Sequence, residues 1–177
     1  MTDHKRKLHR EQYRSTHPLV RFRKISNDMA TFVKEELISG SIVSVDSCPW
    51  ALKIPCDQIY ELKTYQSLFE TNTSLVFLNS IADLPCDKIY DNLLLCGITD
   101  FKYQPWQQAV NTVTKIADIS CGRVIVALPI TLLFFHRLKY TYHDMINQIN
   151  LSFDQQGWQC DRHLLDIDIA YFSLTKK

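Results

Sequence analysis

The sequence predicts an α/β fold, a three-layer sandwich in which helices cover both faces of a mostly parallel sheet. The first observation is a strand–helix–strand unit between Ile89 and Pro129, in which two aliphatic runs flank an amphipathic segment. The second is the alternation of helical and extended patterns along most of the chain. The third is a final pair of extended segments, residues 158–163 and 167–174, which a tight turn joins.

The strand–helix–strand unit carries the clearest pattern. One aliphatic run, residues 90–97, is closed by glycine, and the other, residues 122–129, is opened by glycine and stopped by proline. Pro105 suits the first turn of the helix between them. The apolar residues at helical spacing in that helix are Trp106, Ala109, Val110, Val113, Ile116 and Ala117. Open α/β sheets bind ligands at the carboxyl ends of their strands, so we expect a site at that edge.

The segments before this unit predict a helix followed by three strands. Apolar residues from Ile25 to Leu37 repeat at helical intervals, and Gly40 stands where a helix end favours a positive φ. We expect strands at residues 41–46, near 58–62 and at 75–78, a polar helical turn around 64–70, and a loop over 79–88.

An aromatic, apolar segment and one further helix follow the central unit. The apolar segment covers residues 132–140. The helix places Tyr142, Met145, Ile146, Ile149 and Phe153 along one face, and Gly157 ends it.

The chain length and charge distribution predict one domain preceded by a basic arm. We interpret residues 1–18 as a flexible arm and residues 19–177 as a single domain, because 177 residues suffice for one core. Eight of the 20 Lys and Arg residues lie in the first 24 positions, so the arm is basic and the body mildly acidic. Such an arm can contact the phosphates of nucleic acid or an anionic surface. The alternative is a solvated terminus that only aids solubility.

The cysteine pattern and the hydropathy predict a cytoplasmic protein without metal or membrane span. The six cysteines lie far apart and form no CxxC pair, so neither a zinc site nor a redox motif is indicated. No secretory signal opens the chain, so we expect reduced thiols. The longest uncharged apolar run, residues 124–135, is about twelve residues long, whereas a membrane span needs about twenty.

A series of motifs in the second half follows a known order. Ala82-Asp83-Leu84-Pro85 precedes the run Ile89-Tyr90-Asp91-Asn92-Leu93-Leu94-Leu95-Cys96, much as a "DLP" loop precedes "FDLVLC" in one large family. The glycine-to-proline strand 122–129, the pair Gly157-Trp158 and the hairpin that includes 167–174 follow in the same order. From about Leu75 onward the sequence therefore resembles the class I S-adenosylmethionine-dependent methyltransferases.

This resemblance implies a seven-stranded sheet whose last strand runs antiparallel. It also implies S-adenosylmethionine as the cofactor and methyl transfer as the reaction. The acceptor would be a small molecule or, through the basic arm, a nucleic acid. The oligomeric state is left open, with a homodimer and pairing with another subunit as the alternatives.

The amino-terminal half departs from the family pattern at the turn after the first strand. The family has a glycine-rich turn there, because a missing Cβ lets the backbone approach the cofactor. Here Val45-Asp46-Ser47-Cys48-Pro49-Trp50 keeps an acidic residue but contains no glycine, and Pro49 removes a backbone donor. Two functions follow: a methyltransferase with a divergent, glycine-poor cofactor loop, or a catalytically inactive methyltransferase-like domain that serves as a binding or subunit-pairing module.

The same turn is also similar to a motif of the amino-group methyltransferases. In their "DPPW" motif the prolines and the aromatic residue clamp the target amine. Ser47-Cys48-Pro49-Trp50 differs at the first two positions, and no glycine-rich strand follows at the expected place.

The candidate site residues follow from this resemblance and lie at the strand ends. Methyl transfer is an in-line displacement, so the protein contributes mainly orientation and at most one base. The candidate cofactor-binding residues are Asp46, Ser47, Glu61, Asn79, Ser80, Cys96 and Gly97. Glu61 would hold the ribose hydroxyls, and Asp100 is the predicted catalytic residue, as base or acceptor ligand. The plainer interpretations are a turn-capping acid for Asp46, a solvated strand-end charge for Glu61, and a turn residue before the Pro105 helix for Asp100.

Overall fold

The computed structural model describes residues 27–46, 54–62, 75–96, 106–129, 141–166 and 169–177. Within these ranges the chain forms three α-helices, one short 3-10 helix and seven strands. In chain order they are α1 (Asn27–Glu36), β1 (Ile42–Val45), β2 (Gln58–Leu62), β3 (Leu75–Leu78), the 3-10 helix (Ile81–Asp83), β4 (Tyr90–Leu95), α2 (Trp106–Ala117), β5 (Ser120–Pro129), α3 (Tyr142–Gln155), β6 (Trp158–Asp166) and β7 (Ile169–Lys176).

The seven strands form one sheet in the order β3-β2-β1-β4-β5-β7-β6. The five strands from β3 to β5 pair in parallel, whereas β7 runs antiparallel to both of its neighbours. This topology confirms the predicted mostly parallel, seven-stranded sheet with an antiparallel last strand. Because β1 and β4 are neighbours, the chain reverses its direction of travel across the sheet between them. Their carboxyl ends therefore border the crevice in which sheets of this kind bind ligands.

Helices cover both faces of the sheet, which confirms the three-layer architecture. Helices α2 and α3 bury the larger apolar cluster, in which Phe153 and Phe172 have ring centroids 5.9 Å apart. Helix α1 covers the smaller cluster on the opposite face, where the Phe32 and Tyr171 rings meet edge to face at 6.3 Å. No helix in the described ranges is long and apolar enough to cross a membrane.

The strands and α-helices lie within a few residues of their predicted bounds, whereas the 3-10 helix Ile81–Asp83 lies where a loop over 79–88 was expected. Strands β2 and β3 span the residues expected of them, and α2 begins directly after Pro105. Helix α3 begins with a capping box, because the Asp144 N–H donates to Thr141 Oγ1 at 3.2 Å and the Thr141 N–H donates to Asp144 Oδ2 at 3.0 Å. Gly157, just past that helix, has a φ of 82°. The predicted turn at 64–70, the segment 132–140 and the basic arm lie outside the described residues.

The amino ends of β1 and β4 are joined by a polar clamp. The Asp91 carboxylate accepts hydrogen bonds from the Ser41 N–H at 2.7 Å and from Ser41 Oγ at 2.8 Å. These two bonds hold the pKa of Asp91 below its usual value. The neighbouring Asn92 side chain accepts from the Ile38 N–H and donates to the Ile38 carbonyl, both at 2.9 Å. The clamp ties the turn between α1 and β1 to β4 and so fixes the two strands that border the crevice.

Candidate cofactor site

Two buried carboxylates lie side by side at the carboxyl ends of neighbouring strands. Asp46 directly follows β1, and Glu61 is the fourth residue of β2. Val45 is opposite Tyr60, and the Asp46 N–H donates to the Tyr60 carbonyl at 2.8 Å, so Asp46 is level with Glu61. Asp46 is 0% exposed and Glu61 is 1% exposed. The sheet thus brings together two acids that are fifteen positions apart in the sequence.

Asp46 has an unusual backbone conformation. Its φ is 45°, in the left-handed region, and it is the only non-glycine residue with a positive φ in the part of the chain that the structure describes. Asp and Asn enter this region more easily than other side chains, because their short polar groups can bond locally. The chain therefore turns sharply at Asp46 as it leaves β1.

The row that contains the two acids continues to Cys96 on the other side of Asp46. Ser44 is opposite Leu94, so the residue two places after Ser44 is level with Cys96, which follows β4. Cys96 belongs to the smaller cluster beneath α1 and is buried. Glu61 points to the same face, because Tyr60 and Leu62 on either side of it belong to the larger cluster.

The Cys96 thiol is a neutral group in this environment. Burial raises its pKa to about 12, and the thiol donates to the Ile125 carbonyl at 3.7 Å. A protonated, buried thiol is a poor nucleophile. Cys96 therefore contributes a small uncharged surface to the row and is not a reactive group.

The arrangement suits a ligand that presents hydrogen-bond donors or positive charge. Burial of a carboxylate is unfavourable unless donors or cations compensate it. Each ionised carboxylate offers about four lone-pair sites, so a pair of hydroxyls or an ammonium group is a matching partner. Asp46 and Glu61 together place two acidic side chains, buried from water, at the edge of the sheet that borders the crevice.

The residues after β3 lie at the same edge of the sheet but in a different environment. Asn79 and Ser80 are both exposed. Ser80 forms a capping box with Asp83: Ser80 Oγ accepts from the Ala82 N–H at 3.1 Å, and the Ser80 N–H donates to Asp83 Oδ2 at 3.0 Å. The structure therefore gives Ser80 a local role that sequence analysis did not predict, at the start of the 3-10 helix.

The remaining candidates lie outside the described residues. These are Ser47 in the glycine-free turn, Gly97 after β4, and Asp100. The structure thus brings Asp46, Glu61 and Cys96 into one row, with Asn79 and Ser80 at the outer end of the same edge.

One buried polar residue near this row was missed by sequence analysis. Ser44 lies two residues before Asp46 on β1 and is 0% exposed. Among the described residues its hydroxyl has no hydrogen-bond partner. A serine within a short strand carries no sequence signal that separates a buried hydroxyl from a surface one.

No family model and no curated protein matches the sequence, whereas solved structures match the fold. The 16S rRNA methylase ArmA has a TM-score of 0.55 at 16% identity, with 97% of each chain covered. The magnesium protoporphyrin IX methyltransferase from Synechocystis PCC 6803, with bound SAH, has a TM-score of 0.55 at 11% identity, covering 88% of this chain and 83% of that one. An O-methyltransferase family protein from Burkholderia thailandensis has a TM-score of 0.59 at 11% identity, covering 90% of this chain and 58% of that one. The chain therefore has the class I methyltransferase-like fold, as the resemblance implied.

Proposed function

We propose that this protein is an S-adenosylmethionine-dependent methyltransferase whose cofactor lies across the carboxyl ends of β1, β2 and β4. The observation that carries the proposal is the buried pair Asp46 and Glu61 at the carboxyl ends of β1 and β2, next to the point between β1 and β4 where the chain reverses its direction across the sheet. A carboxylate at this edge suits the hydroxyls of a ribose. Two carboxylates shielded from water also favour a cationic ligand such as a sulfonium.

Each candidate residue has a distinct role in this proposal. Glu61 accepts hydrogen bonds from the ribose hydroxyls, and Asp46 faces the amino-acid part of the cofactor. Ser47 and Gly97 are further candidates for cofactor binding, and Cys96 closes the row with an uncharged surface. Asn79 and Ser80 lie at the outer end of the row, where we place the adenine of the cofactor.

Catalysis requires little further chemistry from the chain. The bound cofactor supplies an activated methyl group, and the protein orients the acceptor for an in-line displacement. Asp100 is the proposed base or acceptor ligand. The Cys96 thiol takes no part as a nucleophile, because its pKa is about 12.

The glycine-free turn keeps the second function open as an outcome of the test. A domain that binds cofactor without transferring the methyl group, or that binds no cofactor, fits the inactive binding or subunit-pairing module. The position of Asp46 and Glu61 at the carboxyl ends of neighbouring parallel strands favours cofactor binding, because open α/β sheets bind their ligands at that edge.

The first experiment is thermal unfolding with and without S-adenosylmethionine or S-adenosylhomocysteine. A ligand at 100 times its dissociation constant adds about 2.7 kcal/mol of stability. For a chain of this size that corresponds to a rise in Tm of roughly 5 to 11 °C. No shift at millimolar cofactor would contradict the proposal, and a shift without methyl transfer to any acceptor would favour the inactive module.

The charge distribution supports nucleic acid as the first acceptor class to test. Beyond residue 24 the chain carries twelve Lys and Arg residues against seventeen Asp and Glu, a formal charge of −5, so the positive charge is concentrated in the first 24 residues, which include the arm. The fold does not select the acceptor, since neighbours with this fold include an rRNA methylase and a methyltransferase of a porphyrin.

The arm can be tested by deletion of residues 1–24 and measurement of RNA binding over a range of salt concentrations. The affinity of a protein for single-stranded nucleic acid decreases with salt, and a plot of log affinity against log salt becomes less steep by about 0.7 for each lost phosphate contact. We expect the deletion to lower both the affinity and the slope. RNA binding that is unchanged by the deletion would remove the arm from the proposal.

A further inference from the structure

Asp46 has two backbone features that do not involve its side chain. Its φ of 45° places a non-glycine residue in the left-handed region. Its N–H is bonded to the Tyr60 carbonyl at 2.8 Å, so the residue is held against β2 at the point where the chain leaves the sheet. Backbone strain of this kind is found preferentially where function depends on the conformation.

The glycines that the structure describes serve other places in the fold. Gly40, with a φ of 131°, and Gly122 both approach Asp91 at the amino edge of the sheet. Gly157, with a φ of 82°, follows α3. None of these three is in the turn after β1, and the sequence from Asp46 to Trp50 contains no glycine. The left-handed conformation that a glycine usually supplies is here adopted by Asp46.

We propose that Asp46 is a positioning residue whose left-handed backbone replaces the glycine of a cofactor loop. By turning the chain at the end of β1, this conformation fixes the direction of the backbone at the carboxyl end of the strand, where we place the cofactor. The inference rests on the proposed function, because it requires a cofactor at the carboxyl end of β1. It assigns to Asp46 a role that is independent of the negative charge of its carboxylate.

Two substitutions separate the backbone from the side chain. Asp46→Gly and Asp46→Ala both remove the carboxylate, but glycine adopts the left-handed region freely and alanine does not. We expect S-adenosylhomocysteine to bind D46A about 5- to 30-fold more weakly than D46G, because D46A must return to the strained conformation on binding. Asp46→Asn, which keeps the tolerance for this conformation, measures the contribution of the charge alone.

The chain offers a matched control at Gly157. This residue also has a positive φ, and a Cβ added there would meet no atom within 4 Å. Gly157→Ala therefore imposes a similar backbone penalty far from the crevice. We expect it to lower the Tm while the affinity for S-adenosylhomocysteine stays unchanged.

The outcomes distinguish this inference from the proposed function. If the wild type binds S-adenosylhomocysteine and D46G and D46A bind it equally, the inference is wrong and the proposed function stands. If the wild type does not bind at millimolar concentration, both fail. If D46G folds and D46A does not, the left-handed backbone serves the fold and not the cofactor, which also overturns the inference.

Discussion

Replacement of Gly40 by alanine should destabilise the protein at the edge of the sheet opposite the crevice. Gly40 has a φ of 131°, a conformation that side chains rarely adopt, and holding alanine there costs about 1–3 kcal/mol. For a chain of this size the backbone term alone lowers the Tm by roughly 2 to 12 °C. The added Cβ would also overlap the Asp91 carboxylate. That carboxylate accepts two hydrogen bonds from Ser41, at 2.7 Å and 2.8 Å, so its displacement would open the clamp and add to the loss.

Urea unfolding followed by circular dichroism can separate the two parts of this loss. Gly157→Ala gives the backbone part alone, because the space around Gly157 is open. In the double variant Gly40→Ala/Asp91→Ala the overlapping carboxylate is gone, so Gly40→Ala should destabilise the Asp91→Ala protein less than it destabilises the wild type. The reasoning is refuted if the Gly40→Ala protein is as stable as the wild type. It is also refuted if Gly40→Ala lowers the free energy of unfolding of the wild type and of the Asp91→Ala protein by the same amount as Gly157→Ala does.

Three further predictions follow from single contacts. The Ser41 hydrogen bonds lower the pKa of Asp91 in the folded protein. The wild type should therefore be more stable than Asp91→Asn above pH 3.8, and this advantage should disappear as the pH falls through the lowered pKa. A stability difference between the two proteins that does not change with pH would contradict this. Exposed Cys86 should react with a maleimide in the folded protein, and Cys96, with a pKa of about 12, only after unfolding; peptide mapping that finds equal labelling rates would refute the assigned burial. Thr141→Ala removes the cap of α3 and should lower the free energy of unfolding by about 1 kcal/mol, whereas an unchanged urea midpoint would show that the cap contributes nothing.

The central part of the fold was predictable because each of its segments has a local apolar pattern that indicates how the segment is buried. Leu93, Leu94 and Leu95 are all 0% exposed, as expected of a parallel strand covered on both faces. The helix that follows repeats its apolar residues at 3.6-residue spacing. The 3-10 helix Ile81–Asp83 was missed, because three residues have no periodicity; its one sequence signal is the Ser80 to Asp83 spacing of a capping box.

The candidate site was only partly predictable for a different reason. Sequence places Asp46 and Glu61 at strand ends, but their alignment depends on the register between β1 and β2, which no local pattern records. The absence of glycine from the turn after β1 was visible, yet it did not indicate that Gly40 and Gly122 serve the amino edge. The left-handed φ of Asp46 could not be predicted either, since aspartate adopts ordinary conformations far more often.

The most direct test of the central claim is calorimetric titration of S-adenosylhomocysteine into the wild type, Glu61→Gln and Asp118→Asn. Asp118 is an exposed acid that pairs with Lys176 at 3.0 Å, and it controls for the loss of one negative charge. A hydrogen bond to a charged group contributes about 1.5–3 kcal/mol, so Glu61→Gln should bind about 10- to 150-fold more weakly and Asp118→Asn as tightly as the wild type. A wild type that binds no S-adenosylhomocysteine at millimolar concentration, or a Glu61→Gln variant that binds it as tightly as the wild type, would contradict the account.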